Sequence, residues 1–216
     1  SNSAHPNNIF IGLWSNHRRP NQNPTPDPIP HSLLVALPPA TSLSSWAVEE
    51  ITQKTKGQDN GSNVAKALSE GTARAVCDGS FKNKHGTASF CIHGDNPLYQ
   101  VEGSNRTPGR AEDQSAYRSE LGGVVGLLIT LQSICKVHQI SEGAITIGLD
   151  CESAINKIRS HYPPKVKDFH HDIVTECRRL IKELPLDVTF RWIEAHQDDK
   201  GRPLYRLDWW ARQNIR

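Results

Sequence analysis

The sequence has almost no net charge. Lys and Arg number 25 against 23 Asp and Glu among 216 residues, which leaves a net charge of +2 with histidine neutral. A strongly basic chain attracts nucleic acid through its overall field, and this balance excludes such a field. Any affinity for nucleic acid must therefore come from local basic patches and from bound metal ions.

The sequence also lacks paired cysteines and the spacing of zinc ligands. It has five cysteines, none in a Cys-x-x-Cys pair, and four lie in apolar or periodic segments where a buried free thiol is usual. An odd number without framework spacing argues against a disulfide-stapled secreted domain and indicates a reducing compartment. We therefore expect an intracellular location, nuclear or cytoplasmic.

Methionine and long apolar runs are absent as well. No methionine occurs, and no apolar run in the sequence reaches the length of a membrane span. The N-terminus lacks the basic-then-apolar pattern of a signal peptide, so we expect no membrane partner. The chain begins with Ser1 and stops at Arg216 within a helix-like pattern. We interpret it as a segment of a longer product.

Residues 1–70 differ in composition from the rest. Seven prolines lie within residues 19–39, where they remove amide donors and favour extended backbone. A serine-capped segment over about 44–56 has the apolar spacing of a short helix, and residues 57–62 indicate a flexible break. We predict a proline-rich extension or linker over 1–70, followed by a domain over 71–216.

From Ala73 onwards the pattern becomes regular. Short β-branched or alternating runs predict five strands, and longer segments with apolar residues at helical spacing predict helices. The predicted strands are 74–78, 87–93, 98–102, 144–150 and 186–194, and the predicted helices are 115–133, 151–159 and 169–183. Three strands followed by alternating helices and strands imply an α/β fold, with a mixed five-stranded sheet flanked by helices.

Three carboxylates follow this order of elements. Asp78 ends the first predicted strand, Asp150 ends the fourth, and Glu120 lies near the start of the long helix. Side chains at strand ends gather at one edge of an open α/β sheet, and converging carboxylates repel one another unless a cation neutralises them. Magnesium and manganese prefer such oxygen ligands. Two ions about 3.5–4 Å apart support phosphodiester hydrolysis, since one lowers the pKa of the attacking water and the other stabilises the leaving oxygen.

Each carboxylate alone has an ordinary structural explanation. An aspartate after a strand is commonly a turn former or helix cap, and Asp150 could cap the helix that begins at Cys151. Glu120 alone would be a helix-start acid favoured by the helix dipole. The triple is harder to explain in this way, because each residue falls on the expected element in the expected order.

Four motifs resemble the type 1 ribonuclease H family, over about residues 72–216. They are the strand motif Cys77-Asp78-Gly79-Ser80, the helix motif Ser119-Glu120-Leu121, the second aspartate in Leu149-Asp150-Cys151-Glu152-Ser153-Ala154, and the strand Trp192-Ile193-Glu194-Ala195-His196-Gln197-Asp198 that ends in the family's histidine. Leu207-Asp208-Trp209-Trp210-Ala211, after a His-Gln-Asp-Asp run, resembles ribonuclease H-like domains of eukaryotic retroelement-derived reverse transcriptase proteins. The resemblance implies that such a domain would adjoin a polymerase domain.

This resemblance implies a metal-dependent endonuclease that hydrolyses the RNA strand of RNA/DNA hybrids. Asp78, Glu120 and Asp150 would hold two Mg²⁺ or Mn²⁺ ions. His196 would assist turnover as a proton shuttle, because the charge of a histidine changes near physiological pH. The alternative for His196 is a loop histidine that bonds to backbone. The nucleic-acid partner would be the hybrid, distinguished from duplex DNA by its 2′-hydroxyls.

The family has a fourth carboxylate on its last helix, in an Asn-x-x-x-Asp pattern. Gln213-Asn214-Ile215-Arg216 resembles the start of that pattern, so this acid would lie beyond Arg216, and metal binding by the segment alone would be weaker. The other candidate is Asp208, twelve residues after His196, although its tryptophan neighbours suit a packing helix equally well.

Two other functions fit the sequence. An integrase- or transposase-type nuclease shares the fold and metal chemistry, but its third acid lies on a late helix, whereas Glu120 lies on the first. A binding or scaffolding module would keep the fold with impaired catalysis. Basic residues near the second and third predicted helices could contact phosphates, although a solvated helix face is the commoner explanation. They are Lys157, Arg159, Lys165, Lys167, Arg178, Arg179 and Lys182.

Overall fold

The computed structural model describes residues 9–14, 51–53, 59–195 and 209–213. Its strands are β1 (Ile9–Trp14), β2 (Ile51–Gln53), β3 (Ala73–Lys82), β4 (His85–His93), β5 (Gln100–Arg106), β6 (Ala144–Leu149) and β7 (Asp187–Trp192). Its helices are α1 (Ser62–Glu70), α2 (Ala116–Val137), α3 (Glu152–Arg159), α4 (His171–Glu183) and α5 (Trp209–Gln213), with a 3-10 turn at Ala111–Asp113. The described strands form one sheet in the order β2-β1-β5-β4-β3-β6-β7.

Five neighbouring strands of this sheet, β5, β4, β3, β6 and β7, confirm the predicted α/β fold, a ribonuclease H-like mixed five-stranded sheet flanked by helices. β3, β4 and β5 form an antiparallel meander, and β6 and β7 extend it in parallel from β3. Asn83 and Lys84, both with positive φ, form the tight turn between β3 and β4, as the twist of a two-residue hairpin requires. Ile147 and Leu149 of β6 are fully buried on one face, and Gly148 between them is buried on the other, where it lies against Trp210. Burial on both faces is typical of a strand inside a sheet that is covered on both sides.

Helix α2 packs across the meander and supplies more residues to the core than any other described element. Its glycines allow a close approach: a Cβ at Gly123 would lie 3.2 Å from the Cβ of Ala88, and one at Gly126 would lie 2.8 Å from Oδ1 of Asn105. By length and composition, α2 also qualifies as a membrane span, so the expectation that no apolar run is long enough was wrong. Most of this apolar stretch is buried inside the domain, and core packing accounts for its composition.

Side chains along β3 alternate between the two faces of the sheet. Ala75 and Cys77 belong to the main core beneath α2, whereas Val76 belongs to a smaller cluster. The other members of that cluster are Cys91, Ile193, Trp209 and Trp210. Because successive residues of a strand point to opposite faces, α5 covers the face that α2 leaves open.

The N-terminal region departs from the sequence prediction. Helix α1 contributes the fully buried Val64 and Leu68 to the core, so the packed unit begins before the predicted boundary at residue 71. Asp59 caps this helix through the amides of Gly61 and Asn63, where the sequence suggested a flexible break. Residues 51–53 form a strand and not part of the predicted short helix, because they pair in parallel with β1. The proline-rich stretch lies outside the described residues.

Candidate metal centre

Asp78, Glu120 and Asp150 converge at one end of the central strands. Each offers one carboxylate oxygen, and these three oxygens lie within 4.8 Å of one another. Glu120 is only 8% exposed, whereas Asp78 and Asp150 are partly exposed to solvent. The three side chains come from β3, from α2 and from the residue that follows β6. The fold therefore brings together the three residues that the sequence predicts as metal ligands.

Asp78 does not end its strand, as the sequence analysis expected. β3 continues to Lys82 because Gly79 to Lys82 pair with β4, with Asp78 opposite Ser89. The parallel pairing of β3 with β6, however, covers only Ala73 to Val76. Asp78 therefore lies level with Asp150, the residue that follows β6. The prediction of a strand-end carboxylate is correct for Asp150 and wrong for Asp78.

Glu120 is held by the backbone of β3. Its Oε1 accepts a hydrogen bond of 2.9 Å from the amide of Gly79. Gly79 permits this contact because it has no side chain: a Cβ there would lie 2.5 Å from the nitrogen of Glu120 and 2.6 Å from the carbonyl carbon of Ser119. Glu120 is therefore bound to a neighbouring strand, a contact that a helix-start acid favoured only by the helix dipole does not require.

Asp150 lies between β6 and α3. The cap position of α3 is Cys151, so Asp150 does not occupy the helix-capping position that the sequence left open for it. The indole nitrogen of Trp192 donates a hydrogen bond of 3.3 Å to the carbonyl oxygen of Asp150. This contact links the backbone at Asp150 to the end of β7.

The donor set suits a hard divalent cation. Three carboxylates offer only oxygen atoms, which Mg²⁺ and Mn²⁺ prefer, and their mutual repulsion at this distance favours a cation between them. The thiol of Cys77 is buried in the main core, and this burial, followed by the nearby Glu120 carboxylate, raises its pKa well above the usual value. The residues present therefore fit a divalent metal site.

Two of the predicted catalytic residues lie outside the described residues. These are His196, the predicted proton shuttle, and Asp208, the alternative fourth carboxylate. Their roles stay predictions.

The seven basic residues near α3 and α4 differ in their contacts. The ammonium group of Lys157 lies 3.8 Å from a carboxylate oxygen of Asp168. Arg178 donates to the carbonyl oxygens of Lys157 and Tyr162, and Arg179 pairs with Glu176 and Glu183, so both arginines hold the protein's own structure. A second group is exposed around the connection between α3 and α4. It comprises Arg159, Lys165 and Lys167, together with the exposed aromatic residues Tyr162 and Phe169.

Sequence reasoning missed the residues that support the carboxylates. Gly79 stood in the quoted Asp-Gly-Ser motif, but its contact with Glu120 depends on the packing of α2 on β3. Trp192 and Arg118 likewise stood beside predicted residues with no local pattern to indicate their partners. Arg118 lies in the first turn of α2 and is only 3% exposed. Because arginine is rarely buried unless its charge is paired, this burial indicates a partner that the sequence alone does not show.

No family model matches the chain, and no curated protein matches it in sequence. Solved structures that resemble it include ribonuclease H1 from the halophilic archaeon Halobacterium salinarum NRC-1, which is 11% identical with a TM-score of 0.43 over 60% of this chain and 89% of that one. LC11 ribonuclease H1, in complex with an RNA/DNA hybrid, is 12% identical with a TM-score of 0.48 over 59% of this chain and 89% of that one. The N-terminal ribonuclease H domain of a Mycobacterium tuberculosis protein is 8% identical with a TM-score of 0.38 over 59% of this chain and 87% of that one.

Proposed function

We propose that this chain is a metal-dependent endonuclease that hydrolyses the RNA strand of RNA/DNA hybrids. The observation that carries the proposal is the approach of three carboxylate oxygens within 4.8 Å from three separate elements of the fold. Carboxylates that serve only as helix caps or turn formers act locally, and such roles do not require their oxygen atoms to lie close together. Asp78, Glu120 and Asp150 would hold two divalent ions.

Two of these residues are held by neighbouring strands. The carboxylate of Glu120 accepts from the Gly79 amide, and the backbone carbonyl of Asp150 accepts from the indole of Trp192. The Glu120 side chain and the Asp150 backbone are therefore positioned before any ion binds. Bound ions of this kind supply an activated water and stabilise the charge on the leaving oxygen of a phosphodiester. His196 would move a proton during turnover, and the fourth acid would be Asp208 or a residue beyond Arg216.

The surface near α3 and α4 supports a polyanionic substrate. Lys165, Lys167 and Arg159 carry exposed positive charge, which suits phosphate contacts that depend on salt and not on sequence. Tyr162 is 82% exposed and Phe169 is 73% exposed, and exposed aromatic rings beside cations are typical of surfaces on which nucleobases or sugars stack.

The context of the domain is also part of the proposal. The His-Gln-Asp-Asp run and the segment Leu207–Ala211 support a domain of a retroelement-derived reverse transcriptase protein, adjoining a polymerase domain. An intracellular location fits the cysteines, all five of which are free.

Cleavage of a strand-labelled hybrid tests the function. Wild-type protein is incubated with a hybrid labelled on the RNA or the DNA strand, and with duplex DNA, in Mg²⁺, Mn²⁺ or a chelator. We expect cutting of the RNA strand of the hybrid only, dependent on metal and lost in Asp78→Asn. Asp187→Asn is the matched control, because Asp187 is an exposed carboxylate at the opposite end of the parallel strands. A hybrid that is bound but never cut would favour the binding module, and cutting of duplex DNA would favour the integrase-type nuclease.

A further inference from the structure

Arg118 is a buried arginine that joins three parts of the chain. Its Nε donates to the carbonyl oxygen of Pro108 at 2.7 Å, and its two terminal nitrogens donate to the two oxygens of Asp172 at 2.9 and 2.7 Å. Its side chain is only 3% exposed. The bidentate ion pair with Asp172 compensates the buried positive charge of Arg118. Without such a partner, the buried charge would strongly destabilise the fold.

The guanidinium also contacts His170, which precedes α4. Nη1 of Arg118 lies 3.3 Å from Nδ1 of His170, and the other ring nitrogen lies 3.1 Å from Oγ of Ser115. Because a guanidinium has no acceptor, Nδ1 of His170 must accept from Arg118. The hydrogen of the neutral imidazole is then on Nε2, which donates a hydrogen bond to Oγ of Ser115. Ser115 is the cap of α2 and accepts from the amide of Arg118 at 3.0 Å. Both the backbone and the side chain of Arg118 are thus tied down.

Arg118 and Glu120 hold α2 from opposite sides. Each residue of a helix advances by roughly 100° around the helix axis. Side chains two residues apart are therefore about 200° apart and lie on nearly opposite sides of the helix. Glu120 points to β3, where it meets Gly79, while Arg118 points to α4 and to the loop after β5. The start of α2 is therefore fixed between the strand that carries Asp78 and a helix that carries no predicted metal ligand.

We propose that Arg118 is a positioning residue for the metal-binding carboxylates, which sets the start of α2 so that Glu120 reaches Gly79 and faces Asp78 and Asp150. The proposal rests on the metal site of the proposed function. It extends that function by giving the Arg118–Asp172 pair a part in the site, although neither side chain is a predicted ligand.

Conservative variants separate positioning from general stability. Arg118→Lys keeps the positive charge but loses the flat two-pronged geometry, and Asp172→Asn keeps the shape but loses the charge. Arg179→Met is the matched control, because Arg179 also makes ion pairs on α4, to Glu176 and Glu183, without a contact to Arg118 among the described residues. Arg118→Met is a stronger variant that would be expected to fold less well.

The first readout needs no metal. The chemical shift of the Gly79 amide proton reports its hydrogen bond to Glu120, and a change in global stability alone does not move it. We expect an upfield shift of this proton in Arg118→Lys and Asp172→Asn and no shift in Arg179→Met. A Gly79 proton that stays at the wild-type position in folded Arg118→Lys and Asp172→Asn would overturn the proposal.

The second readout is the affinity for Mn²⁺ by calorimetry. We expect about a 10–100-fold weaker affinity in Arg118→Lys and Asp172→Asn, the range found when residues that orient metal ligands are changed, with Arg179→Met like wild type. Wild-type protein that binds no Mn²⁺, together with the expected Gly79 shift, would contradict the proposed function while supporting the link from Arg118 to Glu120. Wild-type affinity in all variants, with Gly79 unmoved, would count against Arg118 alone.

Discussion

The amide of Gly79 in β3 donates to the carboxylate of Glu120 in α2 at 2.9 Å, next to Asp78. One glycine thereby joins the strand that supplies one candidate ligand to the helix that supplies another. The contact also explains why the helix can lie so close to the strand, since a Cβ at Gly79 would meet two backbone atoms of α2.

Gly79→Ala should destabilise the domain and weaken the metal site. The new methyl group would come within 2.5–2.6 Å of helix backbone atoms, so α2 must move away from β3. Overpacking of this kind costs about 1–3 kcal/mol in the free energy of unfolding. Urea denaturation measures that loss, and Ser80→Ala, at the next and exposed position of the strand, should stay within about 0.5 kcal/mol of wild type. Equal stability of Gly79→Ala and wild type would contradict the close contact.

Asp150→Asn should act in opposite directions with and without metal. Removal of one of three negative charges within 4.8 Å relieves repulsion, so the metal-free variant should melt at a higher temperature than metal-free wild type. Added Mn²⁺ should raise the melting temperature of wild type but not of the variant, because binding to the folded state alone stabilises it.

Calorimetric or fluorescence melting with and without Mn²⁺ checks both parts. Asp187→Asn, with its carboxylate at the other end of β7, should respond to Mn²⁺ as wild type does. An Asp150→Asn protein that Mn²⁺ stabilises as much as wild type would contradict a role for Asp150 as a ligand.

The sequence predicted the convergence of the three carboxylates because its signals are local. Asp78 and Asp150 each follow a β-branched or apolar run, and Glu120 stands in a strongly apolar helix, so element type and chain order could be read directly. The end of β3 was misjudged because Gly79 and Ser80 normally stop a strand, whereas here their pairing with β4 continues it. Pairing across the sheet is a tertiary effect that a single segment does not encode.

The N-terminal boundary was misjudged for a similar reason. Helix α1 spans only nine residues and follows a glycine- and polar-rich stretch, so its sequence resembles a loop. Its stability comes from burial of Val64 and Leu68 beneath the sheet, together with the Asp59 cap. Short helices of this kind depend on tertiary packing more than on intrinsic propensity.

The stability of the domain should fall as the pH drops below about 6.5, and His170 should account for part of the fall. Burial, followed by the neighbouring Arg118 guanidinium, lowers the pKa of His170 from its ordinary value of 6.5. The unfolded chain then binds a proton that the folded chain does not, so the free energy of unfolding decreases from pH 6.5 down to the lowered pKa and levels off below it.

His170→Asn is the variant of choice because asparagine tolerates the left-handed backbone at this position, where φ is 64°. Urea denaturation at several pH values from 7 to 5 should show a smaller dependence on pH in the variant. Some dependence should remain, since burial also lowers the pKa of His93. A variant with the full wild-type dependence would exclude His170 as a contributor.

Trp210→Ala should test the packing of α5 on the second face of the sheet. Trp210 is 5% exposed and lies against Gly148, so its removal leaves a large cavity over β6. The expected loss is about 3–5 kcal/mol in the free energy of unfolding, the range for buried tryptophan. Trp192→Ala, at a side chain that is 55% exposed, should cost much less. Similar losses for the two variants would contradict the docking of α5.

Charge reversal at Lys165 and Lys167 should weaken hybrid binding if the proposed substrate is correct. Each exposed lysine that contacts a phosphate contributes about one unit to the salt dependence of binding, so Lys165→Glu and Lys167→Glu should each reduce that slope. Lys66→Glu, at an exposed position on α1, is the control. Binding measured over a range of salt concentrations with the Asp78→Asn protein avoids cleavage, and an unchanged slope would place the substrate elsewhere.

Anomalous diffraction from Mn²⁺-soaked crystals tests the central claim most directly. The account predicts strong anomalous peaks coordinated by Asp78, Glu120 and Asp150 in wild type, and their loss or weakening in Asp150→Asn. Peaks confined to other parts of the surface, with no density between the three carboxylates, would contradict the assignment of this cluster as a metal centre.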